Sequence, residues 1–481
     1  MLTALIFIAY FLLLYGLGRW SSQRSTNDSF FRGERKSRWP MVAFGMIGAS
    51  ISGVTFVSVP GMVLLSDMTY LQMCLGFIVG YFVVAFVLLP VYYRLNLTTI
   101  YGYLDERLGR WSHRTGSSFF ILSKAMGASL RFYLAAAIVQ QFWLDAWGVP
   151  FPLTALGMVL LVWLYTRRGG IRTLVSTDVV QTCVMLIAVV LLIGAVMQQL
   201  NLSPGEVLTA VANDSHSRIF VTDDWRSPLH FAKQFLSGVF VVVVMTGLDQ
   251  DMMQKTLPCR TLRDAQKDMC SYGFAFVPVN ALFLVLGVLL VMLAAQEGTP
   301  LPQRADELLP TFVQSGLLGQ AAQAFFLLGI LASAFSSADS AMTALTTTVC
   351  IDLFNRADNT RLRQRVHLAV AGGFALLILV FAQVSSGSII NDIYILCGYT
   401  YGPLLGLFVF GLFGRRSIRD KAVPAVCLAA PIITWLIDRM ANTLYNYHFG
   451  YELLLLNGLL TYLGLYLCSR ANHQPKASVT R

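Results

Sequence analysis

The stretch SAFSSADSAMTALTTTVCIDLF, residues 333–354, follows the apolar run AAQAFFLLGILA at 321–332 with nothing between them that would end a helix. We therefore expect one continuous helix that changes from apolar to polar along its length. At about 100° per residue, four hydroxyl side chains share a narrow stripe on this helix: Ser336, Ser340, Thr343 and Thr347. Two further serines flank the stripe on one side, and Asp339 lies on the other.

The chemistry of this stretch favours a cation site within a membrane. A carboxylate inside a membrane helix is costly and indicates a functional site by default, which applies to Asp339. Hydroxyl, carboxylate and carbonyl oxygens are the ligands that a small hard cation prefers. The threonines at 346–348 have a simpler interpretation, since small hydroxyls commonly join membrane helices. The stretch as a whole predicts one wall of a sodium site.

The composition of the chain is typical of a membrane protein. Of its 481 residues, 56% are hydrophobic and only 12% are charged, whereas folded soluble proteins carry roughly 25% charged residues. Thirteen apolar segments have the length and composition of membrane spans: about 2–18, 40–64, 69–93, 116–146, 150–166, 173–199, 231–254, 268–295, 312–353, 366–385, 388–413, 422–443 and 450–469.

Several other classes of protein are disfavoured. The eight cysteines and six histidines show no spacing typical of a disulfide framework or a metal centre. The chain contains no phosphate-binding loop of the Walker type and no recognisable pair of nucleophile and base. We therefore expect neither ATP-driven transport nor an enzyme.

The Lys and Arg residues alternate between rich and poor connections along the chain. Segment 19–39 is rich in them, the connection at 65–69 has none, segment 94–115 is rich again, and the pattern continues to the C-terminus, with Lys255 counted in a rich connection. Basic connections stay on the cytoplasmic side of a membrane. This predicts a periplasmic N-terminus and a cytoplasmic C-terminus, and it explains the net charge of +10 without a nucleic-acid partner.

Two spans contain interruptions. The second span has several glycines and Pro60, and the seventh has Gly247 followed by Asp249 and Asp251. The two lie five spans apart, which is typical of transporters with inverted repeats of five helices. Such backbone breaks line a cavity or are buried in protein. The alternative is that the glycines only allow close helix packing.

Six motifs together resemble the sodium:solute symporter family, and in particular its sialic acid symporters: FRGERKSRWP, ASISGVTFVSVPG, GGIRTLVSTDVVQ, GLDQDMMQ, SSADSAMTALTTTVCIDLF and GYTYGPLLGLFVFGLF. The resemblance covers nearly the whole chain. It implies an all-α integral membrane protein, one domain over 1–481, with a LeuT-like core of two inverted repeats at 40–200 and 231–413. The helices at 1–18 and 422–469 would be peripheral, and 470–481 would form a cytoplasmic tail.

The resemblance implies a main sodium site between the first interrupted span and the polar helix. Its ligands would be backbone carbonyls of Gly48, Ile51 and Ser333, together with the hydroxyls of Ser336 and Ser337. Gly48 and Ser333 stand where the family often has alanine. Since only their carbonyls are required, we expect this exchange to be harmless.

The resemblance also implies a second sodium site, as in some members of the family. Its ligands would be Asp178, Ser336, Ser340 and Asp339. The family more often has a hydroxyl residue in place of Asp339. Two carboxylates could hold the ion tightly, or one could be protonated, because like charges at close range raise a pKa. Alternatively, Asp178 only forms a hydrogen bond near a helix terminus.

The substrate is expected at the membrane midplane between the two interrupted spans. The resemblance implies that eight residues contact it: Ser50, Ser52, Thr55, Tyr70, Cys74, Arg131, Gln250 and Asp251. Cys74 replaces a glutamine of the sialic acid symporters, which argues against sialic acid itself. Asp251 and Gln250 could contact the substrate or gate the pathway.

Arg131 is the most informative single residue. It lies in the middle of a span, where an arginine costs roughly 2.5–3.5 kcal/mol on insertion scales. Its planar fork suits bidentate binding of a carboxylate, and an arginine at the matching place in sialic acid symporters binds the substrate carboxylate. The alternative is a salt bridge to Asp249 or Asp251. Lys124, seven residues earlier, is expected to reach the interface or to pair with an acid.

These observations lead to one expected function. We expect a sodium-coupled symporter in a bacterial inner membrane that imports a small organic anion, such as sialic acid, another sugar acid or a carboxylate, and that acts as a monomer. The alternative within transport is a neutral sugar or polyol, with Arg131 serving a structural role. A membrane sensor would need a signalling domain, for which the short C-terminal tail leaves no room.

Overall fold

The computed structural model describes residues 2–21, 26–33, 37–384, 389–414, 416–447 and 449–470. The predicted tail therefore lies almost wholly outside the described residues. Within them the helices are joined by turns and irregular connections, and two short strands, Ser417–Ile418 (β1) and Ser469–Arg470 (β2), pair antiparallel.

The first half of the chain forms helices α1 to α10. Their bounds are Leu2–Ser21 (α1), Asn27–Arg32 (α2), Trp39–Ser50 (α3), Gly53–Ser66 (α4), Tyr70–Val83 (α5), Leu89–Arg94 (α6), Gly102–Arg107 (α7), Arg110–Val139 (α8), Phe151–Gly169 (α9) and Ile171–Leu200 (α10). Two π-helical segments, Val84–Leu88 and Gln140–Leu144, continue α5 and α8, and a 3-10 turn, Asp145–Trp147, follows the second.

The second half forms helices α11 to α20. Their bounds are Val207–Ala212 (α11), Phe231–Val242 (α12), Gln250–Thr256 (α13), Leu262–Glu297 (α14), Leu308–Gln314 (α15), Gly319–Thr348 (α16), Thr360–Val384 (α17), Ile389–Phe413 (α18), Val423–Tyr445 (α19) and Leu453–Leu467 (α20). The π-helical segments Val243–Gly247 and Val349–Leu353 extend α12 and α16, and single 3-10 turns occupy Ser215–Ser217, Ala305–Glu307 and Asp420–Ala422.

The helices agree with the predicted spans. Among the described residues, eight helices are long and apolar enough to cross a membrane, and two bent pairs raise this number to ten. The shorter apolar helices Phe151–Arg167 and Leu453–Leu467, together with α1, account for the remaining three predicted spans. The largest difference in a boundary concerns the span predicted at 312–353, which begins only at α16, because Gly316 and Gly319 adopt positive φ angles and separate it from α15.

Both predicted interruptions are present. Helices α3 and α4 meet at an angle of 61°, and the α12 segment meets α13 at 70°. At the first break, Ile51 and Ser52 leave helical geometry and adopt extended backbone angles. At the second, the Asp249 side chain caps α13 by accepting hydrogen bonds from the amides of Asp251 and Met252. The two broken helices are the centre of the fold.

Helix α16 is the wall against which the first broken helix packs. It contacts α3, α4, α8 and α10, and every residue from Gly329 to Thr348 is buried. The expected continuous helix at 333–354 is therefore confirmed as far as Leu353. Its polar stripe faces protein on all sides, so these hydroxyls and Asp339 have neighbours from several helices.

Candidate functional site

A cavity of about 120 Å³ lies between the two broken helices. Residues of both breaks, of the long helix α8 and of α18 line its wall. Because each broken helix exposes unpaired backbone groups at its break, a cavity at this point combines polar backbone with side chains from four neighbouring helices.

Six of the eight predicted substrate residues line this cavity: Ser50, Ser52, Thr55, Tyr70, Arg131 and Asp251. Gln250 does not: its side chain accepts a hydrogen bond from the Ile100 amide at 2.9 Å and donates to the Thr98 carbonyl at 3.2 Å. It therefore anchors the connection after α6. Cys74 is fully buried and is not among the described residues that line the cavity. The predicted contacts of these two residues are not supported by the geometry.

Arg131 lines the cavity and makes no hydrogen bond or ion pair with any residue that the structure describes. The alternative prediction, a salt bridge to Asp249 or Asp251, is not formed, because Lys124 occupies both carboxylates. The Lys124 Nζ lies 2.6 Å from Asp251 Oδ2 and 3.2 Å from Asp249 Oδ2. This contact agrees with the prediction that Lys124 pairs with an acid. Arg131 thus keeps its donors available to the cavity.

Tyrosines form much of the polar surface of the cavity, and of the four described below only Tyr70 was predicted from the sequence. The Tyr70 and Tyr394 hydroxyls lie 2.8 Å apart, and the Tyr401 hydroxyl donates to Asp249 at 2.6 Å. The Ser50 hydroxyl contacts that of Tyr272. Tyrosines in apolar spans are common, so the sequence held no specific signal for Tyr272, Tyr394 or Tyr401. Only helix packing brings α5, α14 and α18 to one cavity.

The predicted main sodium site has free backbone oxygens. The amide of Ile51 donates to Ile47 and that of Ser52 donates to Ser50. This leaves the carbonyls of Gly48 and Ile51 without a backbone donor among the residues described. Across from them, Ser337 lines the cavity. Broken helices provide this kind of carbonyl for cations.

The two other serines of that site already have hydrogen-bond partners. The Ser333 hydroxyl donates to the Ile330 carbonyl at 2.9 Å, and the Ser336 hydroxyl donates to Asp178 Oδ1 at 2.7 Å. A hydroxyl that donates its proton still has acceptor lone pairs. Ser336 can therefore donate to Asp178 and offer its oxygen to a cation at the same time.

Gly48 has a steric role that the sequence did not reveal. A Cβ at this position would lie 2.0 Å from Thr182 Oγ1 and 3.0 Å from Thr182 Cβ. Thr182 therefore fills the space that a side chain would need. An alanine at this position would therefore clash with α10 in this chain, while the expectation that the glycine leaves the sodium ligands intact stays a prediction.

Asp178 of the predicted second sodium site is already paired. Its Oδ2 lies 2.8 Å from the Lys255 Nζ, while its Oδ1 accepts the bond from Ser336. Lys255 is only 2% exposed, so counting it among the charges of a cytoplasmic connection was wrong. The helix-terminus role considered for Asp178 does not describe this contact either. The missed signal was that Lys255 follows Asp251 by four residues, on the same helix as the second break.

Asp339 and Ser340 are buried next to this pair. Asp339 Oδ2 accepts a hydrogen bond from the Tyr165 hydroxyl at 2.8 Å. Its other oxygen, Oδ1, and the Ser340 hydroxyl are buried without a hydrogen-bond partner among the described residues. The structure therefore brings all four predicted second-site residues to one region, but the Lys255 ammonium stands among them.

Comparison with known proteins identifies the family to which the sequence is similar. The sequence model of the sodium:solute symporter family matches residues 30–427. The human sodium/iodide cotransporter is 27% identical over an alignment of 434 residues, and the match covers 85% of this chain and 65% of that protein. The sodium/sialic acid symporter SiaT of Proteus mirabilis is 24% identical over 461 residues, covering 91% of this chain and 89% of SiaT.

The fold is shared with a solved transporter structure. A Na⁺-coupled sialic acid symporter, solved in a substrate-bound outward-open state, matches with a TM-score of 0.83 and 19% identity. The match covers 98% of this chain and 99% of that one. The predicted fold class, an all-α membrane protein with a LeuT-like core, is confirmed.

Proposed function

The chain belongs to the sodium:solute symporter family, and on this premise we propose that it imports a small organic anion together with sodium. As a member of this family it is a multi-pass membrane transporter and not an enzyme, and sodium is its coupling ion. The observation that carries the anionic substrate is the guanidinium of Arg131 in the cavity wall, which pairs with no carboxylate in the described part of the chain.

The argument rests on the contrast between Arg131 and the other buried cations. Lys124 is paired with two carboxylates and Lys255 with one. Arg131 stands in the same membrane region without such a partner among the residues that the structure describes, and a charge there is costly unless something neutralises it. A carboxylate on the substrate provides that partner in the bidentate geometry that arginine prefers. Two relatives are named for anionic solutes, iodide and sialic acid, which supports the same class.

For sodium we propose the site between the first break and α16. The carbonyls of Gly48, Ile51 and Ser333 and the hydroxyls of Ser336 and Ser337 are its ligands. An ion at this place joins the broken α3–α4 helix to α16 and stabilises the outward-open form. When the transporter opens inward, the two helices separate, the ligands disperse and sodium leaves.

The direction of transport follows from the sodium gradient and the membrane potential, which contributes about 2.3 kcal/mol per charge per 100 mV. We further propose a monomer in a bacterial inner membrane, with a periplasmic N-terminus and a cytoplasmic C-terminus. Residues 40–200 and 231–413 are assigned to the two inverted repeats, whose relative movement gives alternating access.

The test is thermal stabilisation of the purified protein by a panel of probes, because a ligand that binds only the folded state raises its apparent stability. The panel contains N-acetylneuraminate, gluconate, lactate and iodide as anions and glucose and mannitol as neutral probes, each with sodium and with potassium. We expect at least one organic anion to stabilise the protein only when sodium is present.

The decisive variant is Arg131→Ala. Removing one partner of a buried charge pair costs about 2–5 kcal/mol, so the anion should bind at least about 30-fold more weakly, while sodium alone still stabilises the variant. Arg218→Ala is the matched control, since Arg218 is exposed and outside the cavity. Stabilisation by glucose or mannitol that survives Arg131→Ala would instead identify a transporter of neutral sugars or polyols.

A further inference from the structure

The buried pair of Lys255 and Asp178 occupies the place where a second coupling ion was predicted. The Nζ lies 2.8 Å from Asp178 Oδ2, and the two side chains are 2% and 1% exposed. The other oxygen of Asp178 accepts the Ser336 hydroxyl at 2.7 Å. Both oxygens of this carboxylate are therefore engaged by groups of the chain itself.

We propose that the Lys255 ammonium is a built-in substitute for a second sodium ion, so that this transporter binds one sodium per chain. This inference rests on the proposed sodium site between the first break and α16. An ammonium and a sodium ion carry the same charge, and each neutralises a carboxylate in direct contact. Two cations at one carboxylate oxygen would repel each other strongly in a buried environment.

The surroundings of the pair have the chemistry of a cation site apart from the lysine. Asp339 Oδ1 and the Ser340 hydroxyl are buried without a partner among the described residues, and the other oxygen of Asp339 is bound by Tyr165. Oxygen atoms of this kind are ligands for hard cations. Removing the ammonium would leave Asp178 without its counter-charge beside oxygens that could coordinate an ion.

Lys255, whose ammonium takes the place of the second sodium ion, belongs to the second broken helix. Asp251 and Lys255 stand one turn apart on α13, and they pair with Lys124 of α8 and Asp178 of α10 respectively. A mobile ion at Asp178 could leave when the helices separate, but a side chain remains attached to α13. The Lys255–Asp178 ion pair thus joins α13 to α10 without the binding of a second sodium ion. The sodium gradient then acts through the main site alone.

The substitution Lys255→Met tests the proposal. Methionine is similar in length but ends one atom short of the ammonium position, which leaves space for a small ion. Equilibrium binding of ²²Na⁺ to the purified full-length protein, without any anion, counts the ions. We expect one sodium per chain for the wild type, two for Lys255→Met and one for Lys255→Arg, which keeps the charge.

Two further variants separate the sites. Lys255→Met with Asp178→Asn removes the carboxylate as well as the ammonium and should return to one sodium, even if Lys255→Met alone folds poorly. Lys255→Met with Ser337→Ala should lose only the ion of the main site, so that one sodium remains.

Two results would overturn the proposal: two sodium ions in the wild type, or one in a folded Lys255→Met protein. Because no organic anion is present in this assay, neither result depends on the identity of the substrate. Failure of the anion panel with the sodium counts as expected would instead contradict only the anionic substrate.

Discussion

Lys124→Met should be strongly destabilising, because Lys124 neutralises two carboxylates in the cavity wall. Its side chain is 9% exposed, and its Nζ lies 2.6 Å from Asp251 Oδ2 and 3.2 Å from Asp249 Oδ2. Removing one partner of a buried pair costs about 3–5 kcal/mol, since the remaining charge is left uncompensated. We expect a loss in this range, because both carboxylates lose their counter-charge together.

A second substitution identifies the cause. Asp251→Asn alone leaves Lys124 bound to Asp249, so its cost should be about 1–3 kcal/mol. In the double variant, which combines Lys124→Met with Asp251→Asn, Asp249 still accepts hydrogen bonds from the Tyr401 hydroxyl and from the backbone amides at positions 251 and 252. The double variant should therefore be more stable than the sum of the single effects predicts, by about 2 kcal/mol.

The assay is reversible denaturant unfolding of the purified protein in detergent micelles, arranged as a double-mutant cycle. Lys421→Met, at an exposed position, is the matched control and should change stability by less than about 0.5 kcal/mol. If Lys124→Met costs less than 1 kcal/mol, or if the two substitutions are additive, the ion cluster does not contribute as described.

Two other predictions concern packing and pH. Gly48→Ala should destabilise the fold by about 1–3 kcal/mol, since the added Cβ would clash with Thr182. The further substitution Thr182→Ala should restore most of the lost melting temperature. If it restores none, α3 and α10 are not in contact at this point. Burial raises the pKa of Asp306, outside the spans, above its ordinary range, so its contribution to stability is present at low pH and is lost as the pH rises through the folded-state pKa. Asp306→Asn keeps the acceptor for the Ile389 amide. The stability of this variant relative to the wild type should therefore increase as the pH rises from about 4 to about 7. An equal difference in melting temperature between the two proteins at both pH values would contradict this.

The fold was largely predictable because a bilayer imposes strong rules on sequence. Spans need about 20 apolar residues, and backbone breaks inside a membrane need a reason to exist. The glycines around Gly48 and the acidic residues after Gly247 therefore indicated both broken helices, and the structure has a bend at each. The boundary at 312–353 was less predictable, because α15 is apolar but too short to span.

The site was predictable only in part. Arg131, as a substrate contact, and Ser337, as a sodium ligand, could be singled out because a charge or a cluster of hydroxyls in an apolar helix stands out, and both line the cavity. Gln250 stands in the same motif as Asp251, but it faces the connection after α6 instead. Neighbours on a helix differ by about 100° in direction, so a motif cannot tell which of its polar members reaches the cavity.

The sequence by itself determined the membrane class, the spans, the two breaks and the charged residues that must find partners, since these follow from local composition and periodicity. Only the tertiary structure decided which partners they find. Lys124, not Arg131, pairs with Asp249 and Asp251, and Lys255 reaches Asp178 from 77 residues away along the chain. Charge pairing over such separations depends on how helices pack, and no local pattern of residues encodes that geometry.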